Sequence, residues 1–424
     1  MKTVLAVAAI AAALALAAGP AWAQAPAPGA MFRADPAHSG WYASSPIPAA
    51  KAQLWRVQTG GRIESSPAVA DGTVYVGSDD GHLYAIQIAT GQPRWRFKAR
   101  KGITSSPAAV DGMVYFGSDD GHLYALDTAT GMEKWRYNTD GRVESSPTVV
   151  GGLVFFGDTD KSLYALDARA GVERWRYKTK KGVKGSPAVA GGLVYVADEG
   201  GNLSAVDAAT GAEKWWFKTQ KGVAGSPTVA EGMVYIGDDG GNLYAIDAGS
   251  GQQRGLFKAD KAIETTPAFF AGILYFGSND ASLYAIDVKA AQVKWRFRTE
   301  KSIKSSPAVA GGMVFFGCDD GYLYAVDAAT GASPWRFRTG KSIVSSPAVA
   351  NGAVFVGSND EALYALSGVE PPPAAAPGPG AMPPPAPAST QPGLPVMPPP
   401  PPPPPDIEAQ PPPAPPPPAP APAK

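Results

Sequence analysis

Residues 105–135 read SSPAAVDGMVYFGSDDGHLYALDTATGMEKW, and close copies of this stretch fill most of the chain. The proline of the opening triplet recurs with a step of 40 residues and no insertion, at Pro67, Pro107, Pro147, Pro187, Pro227, Pro267, Pro307 and Pro347. A fixed period of this size indicates a repeat architecture, in which each copy is one supersecondary unit that needs neighbours to bury its apolar faces.

Each copy contains four short apolar runs separated by turn residues, which predicts a four-stranded antiparallel meander. In the quoted copy the runs are SSPAAV, MVYFG, LYALD and KWRYN, and Asp111-Gly112 is a hairpin signal between the first two. The runs lack apolar/polar alternation, which is typical of sheets that neighbours cover on both faces. The predicted fold class is therefore all-β, a single eight-bladed β-propeller of four-stranded antiparallel blades.

The number of strands predicts how the ring closes. Strands one to three occur eight times, and the last copy ends at residues 362–366 without a fourth strand. The segment Leu54-Trp55-Arg56-Val57 resembles strand four but precedes the first triplet, with no strands one to three before it. Residues 54–58 are therefore expected to complete the eighth blade. Strand one is predicted to contain the repeat proline, which has no N–H to donate to a neighbouring strand. This strand is therefore expected to be innermost, with a free edge toward the channel.

The composition divides the chain into four segments. They are a signal peptide at 1–23, an N-terminal strap across one face or rim at 24–53, the propeller at 54–368, and a disordered Pro- and Ala-rich tail at 369–424. The first has the lysine, apolar run and small residues of a secretory signal, so the protein is expected to be exported, with the periplasm favoured. The tail has too few large apolar side chains for a core and is interpreted as a spacer, or as a ligand for a Pro-binding partner.

Charge and cysteine content narrow the possible functions. Lys plus Arg and Asp plus Glu both number 37, so no net field favours nucleic acid. The one cysteine, Cys318, excludes an intramolecular disulfide and is interpreted as a small residue near a turn. His82 and His122 occupy one slot in adjacent copies, but packed sheets stand ~10 Å apart, too far for a shared zinc ion. We expect no metal, no transmembrane segment and a monomer.

The segment Ala125–Trp135, ALDTATGMEKW, matches Ala-x-Asp-x-x-Thr-Gly-x-x-x-Trp, the tryptophan-docking pattern of the quinoprotein propellers. Over about three quarters of its length the chain resembles the pyrroloquinoline-quinone-like (PQQ-like) repeat superfamily, which implies an eight-bladed propeller. Tryptophans that would dock on a neighbouring blade are Trp55, Trp95, Trp135, Trp175, Trp215, Trp295 and Trp335. In the remaining copy Gly255 replaces the tryptophan.

The superfamily that the chain resembles contains both enzymes and binding proteins. Its quinoprotein dehydrogenases carry an adjacent cysteine pair, calcium ligands and long insertions, and this sequence has one cysteine and uniform copies. Its non-enzymatic branch includes the propeller subunit of the outer-membrane β-barrel assembly machinery, a lipoprotein that the chain resembles in size, export and blade number. Here no cysteine near Gln24 could carry a lipid anchor.

The favoured interpretation is an exported, non-catalytic module that binds or scaffolds protein partners in the cell envelope, without a cofactor. The alternatives are a quinoprotein dehydrogenase with PQQ and calcium, and a sensor of a small polar ligand at the channel mouth. No Ser-His-Asp set or general base is identified, so no catalytic residue is proposed.

Candidate binding residues lie where the copies disagree, three positions before the repeat proline. They are Glu64, Thr104, Glu144, Lys184, Glu264 and Lys304, which are expected at the channel mouth, with Ala224 and Val344 in the other two copies. The pairs Glu144–Lys184 and Glu264–Lys304 come from adjacent copies and are expected to form ion pairs. An aspartate ring in the turn between strands two and three, including Asp120, is expected to form a solvated face together with lysines of the inter-blade links.

Overall fold

The computed structural model describes residues 31–43 and 52–367, and their regular structure is entirely β-strand. Strands β1 (Trp41–Tyr42) and β2 (Ala52–Gln58) precede the repeats. Within these residues no helix is present that could cross a membrane. The predicted signal peptide, the whole predicted tail and parts of the predicted strap lie outside the described residues.

Eight sheets follow one another along the chain, each built on a four-stranded antiparallel blade. Blade 1 contains β3 (Ala68–Ala70), β4 (Thr73–Gly77), β5 (His82–Gln87) and β6 (Pro93–Lys98); blade 2 contains β7 (Ala108–Val110), β8 (Met113–Gly117), β9 (His122–Asp127) and β10 (Glu133–Asn138). Blade 3 contains β11 (Thr148–Val150), β12 (Leu153–Asp158), β13 (Ser162–Asp167) and β14 (Glu173–Lys178); blade 4 contains β15 (Ala188–Ala190), β16 (Leu193–Ala197), β17 (Asn202–Asp207) and β18 (Glu213–Lys218). Blade 5 contains β19 (Thr228–Ala230), β20 (Met233–Gly237), β21 (Asn242–Asp247) and β22 (Gln253–Lys258); blade 6 contains β23 (Ala268–Phe270), β24 (Ile273–Ser278), β25 (Ser282–Asp287) and β26 (Gln292–Arg298). Blade 7 contains β27 (Ala308–Ala310), β28 (Met313–Gly317), β29 (Tyr322–Asp327) and β30 (Trp335–Arg338). The all-β, eight-bladed propeller is confirmed.

The eighth blade joins the two ends of the repeat region. It contains β31 (Ala348–Ala350), β32 (Ala353–Ser358) and β33 (Ala362–Ser367), with β2 as its outer strand. Strand β2 runs antiparallel to β33, and Arg56 lies opposite Tyr364. The prediction that residues 54–58 complete this blade is confirmed, and the strand begins two residues earlier than predicted.

The innermost strands are shorter than predicted. Strand β7 begins at Ala108, so Pro107 precedes the strand and does not lie inside it. Asp111 and Gly112, which join β7 to β8, have φ angles of 50° and 76°, as the hairpin signal predicts. The residue before each proline does not pair with a neighbouring strand, because its backbone N–H donates to a side-chain hydroxyl of the next blade.

A closed ring of hydrogen bonds joins all eight blades at the hub. The residue before each repeat proline donates its backbone N–H to the side-chain hydroxyl of the equivalent residue in the next blade. These bonds run from Ser66 to Ser106, Ser146, Ser186, Ser226, Thr266, Ser306 and Ser346 and back to Ser66, with N–O distances of 2.8–3.2 Å. Every member of this hub ring is buried. The repeated hydroxyl residue is visible in the sequence, but its role between blades was not predicted.

Replacing Ser146 with alanine is expected to destabilise the protein by about 1–3 kcal/mol, because the buried N–H of Ser106 loses its acceptor. Ser146→Thr is the matched control, since Thr266 fills the same position in blade 6. Its expected cost is below about 1 kcal/mol. Urea unfolding of both variants measures the difference, and equal losses would contradict a role for the hydroxyl.

The docking tryptophans lie at the interfaces between neighbouring blades. The apolar core clusters occupy the same interfaces. Six of the tryptophans donate the indole N–H to a carbonyl 33 residues further along, at N–O distances of 2.7–3.1 Å. A glycine beneath each ring permits this approach: a Cβ added at Gly171 would lie 2.6 Å from Cδ2 of Trp135. Trp335 differs because the described part of blade 8 has no equivalent turn, and its indole nitrogen is buried without a hydrogen bond there.

Residues 31–43 lie against the inner edges of the innermost strands, in the central channel. Carbonyl groups of Pro36, Ala37, Ser39 and Gly40 accept N–H bonds from Val189, Val229, Phe269 and Val309 of blades 4 to 7. Strand β1 pairs in parallel with β27, which makes blade 7 five-stranded. The inner edge, expected to be free, is therefore occupied in these four blades, because a segment far away in sequence supplies the acceptors.

Candidate functional site: the channel mouth

One face of the propeller carries both the links between blades and the turns between the second and third strands. The six candidate residues stand in these links, two positions before the hub ring. Glu64, for example, precedes Ser66 of the ring and lies four residues before β3. They do not begin the innermost strands, as was expected, because those strands start after the proline. The hub ring fixes each candidate in the link that precedes its own blade.

Blades 3 and 4 share a charged cluster at the mouth. Glu144 is 2.8 Å from Arg142 and 3.9 Å from Lys184, and Lys184 is 2.7 Å from Glu199. The bond to Glu199, opposed by burial, raises the pKa of Lys184 and keeps it charged. The expected pair Glu144–Lys184 is therefore present.

Blades 6 and 7 hold the second expected pair. The Lys304 ammonium lies 3.8 Å from the Glu264 carboxylate. Glu264 also accepts a hydrogen bond of 2.5 Å from the Asn279 side-chain amide. The carboxylate is thus held from two sides, by a cation and by a neutral donor of its own blade.

Blades 1 and 2 form an acidic sector that consists of Glu64, Asp79 and Asp119. Arg62 contacts Asp79 at 2.8 Å and Glu64 at 3.4 Å. Burial raises the pKa of Glu64, and the charge of Asp79 raises it further. Asp79 and Asp119 were not selected from the sequence, although both directly precede members of the predicted aspartate ring.

Two buried acceptor groups in this sector have no hydrogen-bond partner among the described residues. They are one carboxylate oxygen of Asp119 and the hydroxyl oxygen of Thr104. Burial raises the pKa of Asp119; Arg142 opposes this effect and Asp79 adds to it. Chemically, the acidic sector suits a group that donates hydrogen bonds and carries positive charge.

The expectation of a solvated aspartate ring is wrong for Asp120 and for its partly buried equivalents Asp80, Asp280 and Asp360, whereas Asp160 is exposed as expected. The Asp120 side chain is only 3 % exposed and accepts bonds from the Tyr124 hydroxyl at 2.8 Å and the Arg100 N–H at 3.0 Å. The hydroxyls of Tyr84, Tyr284 and Tyr364 likewise donate to Asp80, Asp280 and Asp360. The tyrosine four residues later lies on the adjacent strand and reaches back to the turn. His122 contacts this same aspartate at 3.1 Å.

Asp119 and Asp120 are expected to respond oppositely to neutralisation. The raised pKa of Asp119 means that its charged form opposes folding above that pKa, so Asp119→Asn should stabilise the protein at pH 7 by about 0.5 kcal/mol. Burial alone would raise the pKa of Asp120, but its hydrogen bonds lower it, so Asp120→Asn should destabilise at pH 7. As the pH falls, the Asp119→Asn difference should disappear first, because the pKa of Asp119 is raised, whereas the Asp120→Asn difference should persist until the pH falls through the lowered pKa of Asp120. Thermal unfolding measured from pH 7 downward tests this order, and shifts of equal sign at pH 7 would contradict it.

The described residues lack the cysteine pair and the grouped calcium ligands that the resemblance to quinoprotein dehydrogenases implies. Cys318 is fully buried, with Sγ 3.4 Å from the carbonyls of Lys301 and Ser302, and burial raises the pKa of its thiol to about 12. Throughout residues 31–43 and 52–367, no three His, Cys, Asp or Glu side chains are grouped to bind a metal ion. The donor set does not fit that cofactor.

Comparisons with known proteins place this geometry in context. The family model described as outer membrane protein assembly factor BamB matches residues 48–182, 160–255, 255–340 and 279–370. Comparison with curated proteins gave no match.

Three solved structures show the same fold at low sequence identity. BamB from Moraxella catarrhalis has 18% identity and a TM-score of 0.66, covering 74% of this chain and 99% of that chain. The computationally designed Ika8 protein has 17% identity and a TM-score of 0.68, with the same coverage. Quinohemoprotein alcohol dehydrogenase from Comamonas testosteroni has 18% identity and a TM-score of 0.72, covering 86% of this chain and 83% of that chain. These similarities extend to an outer membrane protein assembly factor, a design and an enzyme, so they indicate the propeller fold alone.

Proposed function

The chain belongs to the family described as outer membrane protein assembly factor BamB, and we propose on that basis that it is an exported, monomeric, non-catalytic propeller that binds protein partners in the cell envelope. The family match spans residues 48–370 and so includes every blade. The predicted signal peptide at 1–23 supports export to the periplasm.

The observation that carries the proposal is the uneven charge around the channel mouth. Glu144, Lys184, Glu264 and Lys304 form ion pairs between adjacent blades. In the acidic sector Arg62 contacts Glu64 and Asp79, while one carboxylate oxygen of Asp119 and the Thr104 hydroxyl of blade 2 have no hydrogen-bond partner in the described structure. The paired lysines are more than 40 % exposed, so these pairs contribute little to stability. We infer that a polypeptide segment with basic side chains binds across Glu64, Thr104, Glu144, Lys184, Glu264 and Lys304.

The competing function is a PQQ-dependent dehydrogenase, an activity found on the same fold in the Comamonas testosteroni enzyme. Against it stand the single buried cysteine and the donor groups described above. A sensor of a small polar ligand at the mouth is a further alternative. It predicts a higher melting temperature with the ligand, lost on alanine substitution of Glu144 and Lys304.

A retention experiment tests the proposed function. The immobilised full chain is exposed to envelope extract, and retained proteins are compared with those held by Glu64→Gln/Asp119→Asn. The control, Glu133→Gln/Glu173→Gln, makes the same charge change at the start of two outer strands, β10 and β14. Partners that bind to wild type and control but not to the mouth variant support the proposal. Equal retention by all three proteins contradicts the mouth as the site.

A second measurement tests the non-catalytic part of the proposal. The purified protein is incubated with PQQ and Ca²⁺, and dye-linked oxidation of alcohols and sugars is followed. Substrate-dependent turnover would overturn the non-catalytic assignment.

A further inference from the structure

The interface between blades 5 and 6 is the one where a docking tryptophan is missing. Gly255 of β22 stands in its place, and a cavity of about 360 Å³ remains. Tyr235 and Phe257 of blade 5 line it from one side, and Leu274 and Ile286 of blade 6 from the other. The cavity is therefore walled mainly by apolar and aromatic groups, and Tyr235, Leu274 and Ile286 among them are buried.

Six other interfaces of the same molecule show what such a cavity accepts. Each contains an aromatic ring whose N–H donates to a carbonyl 33 residues further along. The position equivalent to that carbonyl is Val288, which lines the cavity. Tyr235 now stacks on Phe269, with ring centroids 6.2 Å apart. The cavity thus keeps the wall of an aromatic site.

The floor of the cavity differs from its counterparts by one methyl group. Where the tryptophan is present, a glycine lies beneath it, and a Cβ added at Gly251 would be 2.7 Å from Cδ2 of Trp215. At the cavity the equivalent residue is Ala291, whose φ angle of 51° is positive like that of the glycines. An indole in the usual position would meet this Cβ, so a smaller, single ring fits better.

The rim of the cavity is unusually apolar. Leu256 of blade 5 lines the cavity and is 50 % exposed. The equivalent residue of blade 6 is Arg296. Exposed apolar side chains on an outer strand favour contact with another chain. Arg254 and Lys289 add two positive charges at the cavity and Glu231 one negative charge, which leaves a net positive charge among the lining residues, although Arg254 also lies 3.7 Å from the Asp247 carboxylate.

The chain itself has little to offer as an occupant. Outside residues 31–43 and 52–367 its one aromatic side chain is Trp22, inside the predicted signal peptide. We propose that this cavity binds a phenyl-sized aromatic side chain, flanked by acidic residues, from a partner polypeptide. The site lies between two blades and not at the mouth, so it does not depend on the function proposed there.

Fluorescence polarisation with labelled acetyl-Glu-Phe-Glu-amide, added to the full chain, tests the proposal. This peptide is expected to bind at least about five-fold more tightly than the equivalents with Leu or Trp at the centre, because a flat single ring fills the cavity above Ala291. Absence of binding, or equal affinity for the Phe and Leu peptides, would overturn the proposal.

Three variants assign the binding to the cavity. Gly255→Trp/Ala291→Gly restores the arrangement of the other interfaces and should weaken binding at least about ten-fold while the fold is retained. Ala291→Gly alone should shift the preference toward the Trp peptide. Leu256→Arg, which replaces an apolar lining residue with a cation, should weaken binding through loss of the apolar rim. Undiminished binding by the filled variant would show that the peptide binds elsewhere.

Discussion

Replacing Trp135 with alanine is expected to lower the free energy of unfolding by roughly 3 to 5 kcal/mol, as for other large truncations in a core. Trp135 packs 5.8 Å from the Tyr115 ring, over Gly171 of the next blade, and donates to the Ala168 carbonyl at 3.1 Å. The carbonyl keeps the Tyr115 hydroxyl as a donor at 3.0 Å. The loss therefore comes mainly from packing between blades 2 and 3.

Trp216→Ala is the matched control for this substitution. Trp216 directly follows docking Trp215 on β18, but its side chain is 51 % exposed and its ring contacts the Lys180 ammonium at 3.8 Å. Its removal should cost below about 1 kcal/mol, the scale of an exposed cation–π contact. Denaturant unfolding of both variants gives the comparison. A loss below about 1 kcal/mol for Trp135→Ala would contradict its packing role.

Replacing residues 54–58 with a Gly-Ser sequence of equal length is expected to open the eighth blade. The change removes the Trp55 side chain, which packs against the next blade and donates to the Ile88 carbonyl at 2.7 Å, so at least about 3 kcal/mol should be lost. It also weakens the pairing that covers β33, whose side chains are all buried. An uncovered strand edge of this kind promotes association between molecules.

Light scattering after size exclusion measures that association at several protein concentrations. The same Gly-Ser replacement at 377–381, in the Pro- and Ala-rich segment, is the control and should leave both the mass and the unfolding free energy unchanged. If the 54–58 variant remains a monomer of wild-type stability, the interlocked blade is not what closes the ring.

Much of the architecture could be predicted because its signals are local. The Asp111-Gly112 turn, the apolar runs and the tryptophan pattern all lie within one copy of 40 residues, and repetition multiplied each signal eightfold. The sequence has a surplus fourth strand at Trp55 and lacks a fourth strand after Leu366. This was enough to predict closure, because the third strand of every blade needs an outer strand to pair with. Even the missing tryptophan at Gly255 was visible as a departure from the pattern.

What the tertiary structure alone decided are contacts between copies and across the ring. The hub ring links hydroxyls 40 residues apart and closes over 280, from Ser346 to Ser66. Residues 31–43 reach the channel through contacts such as His38 to the Pro227 carbonyl, 3.0 Å away and 189 positions apart. The acidic sector, the burial of Asp120 and the cavity beside Gly255 depend in the same way on which copies become neighbours. Periodicity determines the unit and its count, but burial and electrostatics depend on the distances that ring closure imposes between residues far apart in the chain.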